Sequence, residues 1–289
     1  MKLIIILICI GVQRYLHMAN QWHELPWFSR YLSRLQGWFS GKSWWRGYLA
    51  MLVMVLPLPL LIAVIACLMG SWLYGLVGLV FSVLVLLLCL DSRDFKNQLV
   101  AYFNASDKQD MESAYEYAIE FVGDDCADNA AAMAREVTKT IFLKSSQRVF
   151  SVLFWFVILG PLGAMLFFVT NQLATLARAE DSEFNFISQP TDTFLSLLEW
   201  IPVRLLAFSF ALVGHFKPTM QWLWQHKTDG LSATQDMVCQ AGFTALAIDS
   251  ENTQTASVTE NHDALDLVFH AGVAWLVVIA ILTLTAWIA

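Results

Sequence analysis

Glu199, Pro202 and Arg204 are the residues with chemistry to offer in the stretch TFLSLLEWIPVRLLAFSFALVGHF, Thr193 to Phe216. The stretch is apolar enough to sit at membrane depth, where a charge costs at least ~2.5 kcal/mol. Charges there are paired, buried in protein or set at an aqueous cavity. Proline cannot continue a running helix but sits well at its first position. The pattern therefore predicts two half helices meeting at Trp200 and Ile201, one from about Thr191 and one from Pro202 to about Gly214. At 1.5 Å per residue the second half is roughly 20 Å long, short of the ~30 Å hydrocarbon core. Free amides at its start, with Arg204 one turn in, suit an anion. An interfacial helix, with Arg204 snorkelling to headgroups and Glu199 facing water, accounts for the same letters without a ligand.

The rest of the chain has the composition of a membrane protein. It has 289 residues, 57% hydrophobic and 14% charged, with a mean hydropathy of +0.56. A net charge of -7 argues against nucleic acid, which needs a clustered basic face. Cys9, Cys67, Cys89, Cys126 and Cys239 form no CxxC pair, so they suggest neither a disulfide framework nor a zinc site. The six histidines show no HExxH spacing. Asp124, Asp125 and Asp128 read either as a magnesium site or, more simply, as carboxylates at a positive helix start. Gly41 to Ser43 spell GKS but lack the spacing and preceding strand of a phosphate loop, and no GxSxG occurs.

Hydropathy gives the order of elements. Residues 1–48 hold a short apolar helix and an aromatic, basic interfacial region in which Trp22, Trp27, Trp38, Trp44 and Trp45 alternate with Arg30, Arg34, Lys42 and Arg46. The first helix is too short to span and lacks a small-residue cleavage site, so it is expected to be retained and to pack on the bundle. Residues 49–90 read as a transmembrane hairpin, with Leu49–Met69 kinked at Pro57 and Pro59, a turn at Gly70 and Ser71, and a return over Trp72–Leu90. Residues 91–148 read as three helices: Phe95–Phe103, Asp107–Val122 capped by Ser106 and ended by Gly123, and one from Ala127 that runs on into the membrane. Residues 149–170 form the next span, weakened midway by Gly160, Pro161 and Gly163. Residues 171–267 form a polar loop around the broken segment 193–216, with a loose linker from Asp249 to His262. Residues 268–289 form the last span. The fold expected is an all-α polytopic membrane protein with about four transmembrane helices, a broken or re-entrant helix and a cytoplasmic helical segment. Of 17 lysines and arginines, six precede the first span and seven lie in 91–148, which places both regions in the cytoplasm.

The runs RVFSVLFWFVILGPLGA (Arg148–Ala164) and EWIPVRLLAFSFALVGH (Glu199–His215) resemble the paired signatures of the AmpE family. These are bacterial inner-membrane proteins associated with signalling to inducible beta-lactamase. That family is in turn similar to the CobD/CbiB cobinamide-phosphate synthases, whose PLFW and Pro-x-Arg-Leu runs correspond here to Val152–Trp155 and Pro202–Leu205. The resemblance implies a multi-pass inner-membrane fold and a regulatory role in the response to beta-lactams. With the in-membrane charges, it points to a pocket where Arg204 and Arg148 meet an anion, Glu199 orients them, and Gln147 and His215 are polar neighbours. The partners implied are the lipid bilayer, an anionic cell-wall fragment or nucleotide, and a signalling protein. The alternative is a synthase using Mg-ATP. The synthases carry an acidic, asparagine-rich turn before PLFW, whereas this chain has Lys144, Ser145, Ser146, Gln147 and Arg148. Gln13 and Arg14 stand where a Glu-Arg pair is usual in AmpE chains. Transport would call for internal repeats, and none is visible.

Overall fold

The computed structural model describes residues 2–15, 26–39, 47–69, 76–90, 93–123, 126–127, 129–179, 183–226, 230–248 and 258–288. Among the described residues the regular structure is helical, with no strand. The acidic cluster Asp124, Asp125 and Asp128, the GKS run and the turn at Gly70 and Ser71 lie outside the described residues. The helices are α1 Lys2–Tyr15, α2 Pro26–Phe39, α3 Gly47–Val55, α4 Pro57–Met69, α5 Leu76–Cys89, α6 Arg93–Asp107 and α7 Met111–Val122. They continue with α8 Ala130–Ser145, α9 Ser151–Leu159, α10 Pro161–Arg178, α11 Ser188–Val213, α12 Phe216–Gln225, α13 Thr234–Ala245 and α14 Val258–Ile288. A π turn, Ser146–Phe150, joins α8 to α9.

Among the described residues four helical stretches are long and apolar enough to cross a membrane: Gly47–Leu68, Ala130–Leu159, Asn185–Val213 and Val258–Thr283. The number agrees with the sequence reading; the membership does not. Of the expected span Trp72–Leu90, the described residues form α5, Leu76–Cys89, 14 residues long. Helix α14 starts at Val258, so the last five residues of the expected linker are its first turns.

The expected break at Trp200 and Ile201 is absent, and α11 runs unbroken through Pro202. Proline deprives the carbonyl four residues back of its donor, which in lipid costs several kcal/mol unless another group replaces it. That carbonyl belongs to Leu198, and the Trp155 indole Nε1 donates to it at 3.1 Å. With the gap filled, nothing forces the helix to end. The break lies instead inside the expected span Val149–Thr170, at Gly160. There φ is +70°, and Pro161 takes the first position of a new helix, α10. Proline at that position frees the Val157 carbonyl, which accepts from Lys2 Nζ at 2.6 Å.

The chain divides into two compact units, one of Met1–Leu90 with Val152–Leu198, the other of Asp91–Ser151 with Glu199–Ala289. In the first, α10 packs on α3, α4 and α5, and α1 packs on α5. The Gln13 side-chain amide donates to the Leu90 carbonyl at 2.9 Å, closing the end of α5. Gly163 permits a close approach in this unit, because a Cβ there would meet the Trp155 carbonyl and stand 2.7 Å from Leu159 Cβ. In the second unit α8 packs on α7, α13 and α14, and α6 packs on α7. Its aromatic centre is Phe142, tilted against Phe210 at 5.5 Å and edge-on to Phe243 at 5.8 Å. Helix α7 is capped by Asp110 rather than Ser106, because its carboxylate accepts from the Ser113 amide at 3.2 Å and hydroxyl at 2.7 Å.

Candidate functional site

All five residues singled out in the sequence, Gln147, Arg148, Glu199, Arg204 and His215, belong to the second unit. Gln147 and Arg148 share the π turn Ser146–Phe150, and both are half-buried. A π turn is a local widening of the helix found often at functional sites. Here the Ser151 amide donates to the Ser146 carbonyl, five residues back rather than four. Residues 146 and 151 therefore stack one turn apart, in place of the usual spacing of four.

Glu199 is buried, with 1% of its surface exposed. Five residues separate it from Arg204, so on a continuous helix the two lie about 140° apart around the axis. Arg204 shares its face with Trp200 instead. Its Nη1 donates to the Trp200 carbonyl at 3.3 Å, and the guanidinium lies 4.1 Å from the indole centroid. The helix start expected to offer free amides beside Arg204 does not exist, since those amides belong to the interior of α11. That part of the anion argument falls, while the cation itself stays at membrane depth. His215 is exposed and is the residue before α12, with its backbone amide donating to the Ala245 carbonyl at 2.9 Å. Lys144 is committed elsewhere: its Nζ donates to the Phe121 carbonyl at 2.5 Å and lies 4.4 Å from the Phe121 ring centroid.

A second polar cluster escaped the sequence reading. Arg135 of α8, with 1% of its surface exposed, stands 3.6 Å from the Glu260 carboxylate and 5.0 Å from the Phe243 ring centroid. Beside it the Thr138 hydroxyl lies 2.8 Å from Asn261 Oδ1, and Asn261 Nδ2 donates to the Tyr102 hydroxyl at 3.3 Å. Burial raises the pKa of the Tyr102 phenol, opposed by hydrogen bonds from Ser106 and Asn261. The cluster ties α6, α8 and the start of α14 together, a fixed register among three helices rather than a site open to solvent. One signal was legible: Arg135 sits in a run of alanines and apolar residues. Its partner Glu260 was hidden in a stretch read as linker.

Among the described residues no group of three His, Cys, Asp or Glu side chains is placed to hold a metal ion. The turn before Val152 carries hydroxyl, amide and guanidinium groups and no carboxylate. This donor set fits an anion's oxygens and does not fit Mg²⁺, which prefers carboxylates.

The family model described as "Regulatory signalling modulator protein AmpE" matches residues 1–288. The chain belongs to the AmpE family. Curated relatives of this AmpE chain include a "Cobalamin biosynthesis protein CobD" from Stutzerimonas stutzeri, 27% identical over 237 residues, which cover 78% of this chain and 74% of that protein. A protein of the same name from Chromobacterium violaceum is 25% identical over 252 residues, 83% of this chain and 78% of that one. A third, from Pelobacter propionicus, is 24% identical over 143 residues, 49% of this chain and 44% of the other. No solved structure matches. Membership of the AmpE family and four candidate spans make this a multi-pass membrane protein with a regulatory role.

Proposed function

We propose that this AmpE-family chain is an inner-membrane modulator of inducible beta-lactamase expression, and that it acts by handling an anionic cell-wall fragment. The observation that supports the anion is the π turn, where a half-buried guanidinium, Arg148, and an amide, Gln147, stand beside hydroxyls in a run that itself holds no Asp or Glu. Arg204 and Glu199 lie in the apolar helix α11, and His215 follows it. In this reading Arg148 is the principal anion partner, Arg204 a second cation, Glu199 the orienting countercharge, and Gln147 and His215 polar neighbours. A signalling protein in the membrane or cytoplasm reads the liganded state. The test is beta-lactamase induction in cells carrying Arg148→Ala or Arg204→Ala at equal protein level. Loss of induction in Arg148→Ala is expected, and unchanged induction in both variants overturns the pocket.

The CobD relatives favour a second reading, a synthase that uses Mg-ATP. The residues before Val152 do not fit a magnesium nucleotide, so on this reading the metal would need carboxylates from elsewhere. Thermal stabilisation by Mg-ATP that is absent with ATP and a chelator would support the synthase. Equal stabilisation with and without magnesium would favour the plain anion site.

A further inference from the structure

Six buried hydroxyls among the described residues follow one habit. Thr138, Thr170, Thr191, Ser209, Thr219 and Thr234 each lie within hydrogen-bond reach of a carbonyl three or four residues back in their own chain, at 2.7 to 3.1 Å. This back-bonding is how serine and threonine are accommodated where water is excluded. Three serines depart from it. Ser145, Ser146 and Ser151 are 2%, 2% and 0% exposed, and among the described residues none of their hydroxyls has a hydrogen-bond partner. All three fall within seven residues, on the π turn and its two flanks, around Gln147 and Arg148. The turn accounts for part of the departure. The Ser151 amide bonds to the carbonyl of Ser146, so the local pattern no longer presents the Gln147 carbonyl to Ser151 as an α-helix would.

A buried hydroxyl without a partner costs about 1–3 kcal/mol, and three within seven residues call for a physical reason. We propose that Ser145, Ser146 and Ser151 are ligand groups, donating to the oxygens of one small oxyanion, a phosphate or carboxylate, whose charge is met by Arg148. The inference rests on the anion reading given under the proposed function and deepens it by naming the seat. The backbone bond from Ser151 to Ser146 sets these two residues one turn apart, the spacing at which two serines can reach one ligand. Serine donates as a neutral group, so selectivity comes from the count and spacing of donors rather than from added charge. The bound oxyanion belongs either to a soluble molecule or to a lipid headgroup, and the same seat serves both.

The test is thermal unfolding of the delipidated, detergent-purified full chain, alone, with inorganic phosphate, and with phosphatidylglycerol. The variants are Ser146→Ala, Ser151→Ala, their double and Arg148→Ala. Ser→Ala replaces the hydroxyl by hydrogen, which removes the unsatisfied polar group and leaves a void smaller than a methyl group. The serine variants should therefore melt at or above the wild-type temperature when no anion is present. The double variant should bind the anion about a hundredfold more weakly, the loss of two charge-assisted hydrogen bonds. A shift with phosphate assigns the seat to a soluble ligand, and a shift with phosphatidylglycerol alone assigns it to a headgroup. If the alanine variants melt well below wild type without anion, the hydroxyls are structural and the proposal falls. If Arg148→Ala abolishes the shift and the double variant keeps it whole, the serine seat falls while the broader anion reading stands. If neither probe shifts the wild-type protein, the seat falls, and the induction phenotype of Arg148→Ala decides the broader reading separately.

Discussion

Pro161 and Pro202 stand in apolar helices of similar composition, yet one ends a helix and the other does not. Each removes an amide donor and orphans the carbonyl four residues back. At Pro161 the preceding residue is Gly160, which takes φ +70°, and a new helix, α10, begins. At Pro202 the preceding residue is Ile201, whose β-branched side chain disfavours that conformation, and the helix continues. The orphaned carbonyls are served differently as well. Val157, at an exposed helix end, takes the ammonium of Lys2, a cation at the negative end of α9. Leu198 takes the neutral indole of Trp155 in a part-buried setting. Proline alone therefore does not specify a break. The glycine before it and the donor that reaches the freed carbonyl decide the outcome.

The strongest way to break the comparison is Gly163→Val, which places a branched side chain against the Trp155 carbonyl where α9 gives way to α10. A loss of about 3 kcal/mol, the upper end of overpacking costs, is expected in detergent unfolding. A wild-type melt would show that the approach is looser than described. Next is Trp155→Phe, which leaves the Leu198 carbonyl without its indole donor. Its expected cost is roughly 2 kcal/mol. In a Pro202→Ala background the helix supplies its own amide, and the cost of Trp155→Phe should fall to under ~0.5 kcal/mol, a coupling that a double-mutant cycle reads directly. Equal costs in both backgrounds would mean that the indole acts through packing and not through the carbonyl.

A smaller effect is expected for Lys2→Met, which keeps the apolar stem and removes the charged donor at Val157. About 1 kcal/mol should be lost, and added salt should reduce the difference from wild type. The smallest effect concerns a third proline. Beside Pro57 the Tyr31 hydroxyl donates to the Met54 carbonyl through a long hydrogen bond of 3.4 Å, and burial pushes its pKa up from 10.0 to about 12. A phenol whose folded pKa is raised contributes stability that is complete below its unfolded pKa and is lost as pH rises through the folded one. Alkaline titration should therefore show Tyr31 ionising late, together with the buried Tyr102, and Tyr31→Phe should remove its share of the late step. Uniform ionisation of all tyrosines near 10 would contradict it.

Much of the helical order was readable because apolar runs and helix stops are local signals. Gly123 ends α7 as its type suggests, and the apolar run kinked at Pro57 divides into α3 and α4 around Leu56. The start of α7 was misplaced by four residues because Ser106 and Asp110 are both good caps, and only the reach to Ser113 separates them. At the candidate site the residue types of Gln147 and Arg148 were legible, but the π turn that carries them was not. An extra residue in one helical turn leaves no pattern in a run such as SSQRVFS. The Arg135 cluster was illegible for a different reason. Tyr102, Thr138 and Asn261 are far apart in the chain, and each alone is an ordinary helical residue.

The sequence by itself determined that this chain is a helical membrane protein of the AmpE family, because hydropathy is additive along the chain and the matching runs are contiguous. It also determined which side chains carry charge at membrane depth. Tertiary structure alone decided how each carbonyl orphaned by a proline is served. The answer depends on a donor brought from another segment, Lys2 for Val157 and Trp155 for Leu198, and no local propensity encodes the arrival of a hydrogen-bond partner from more than forty residues away.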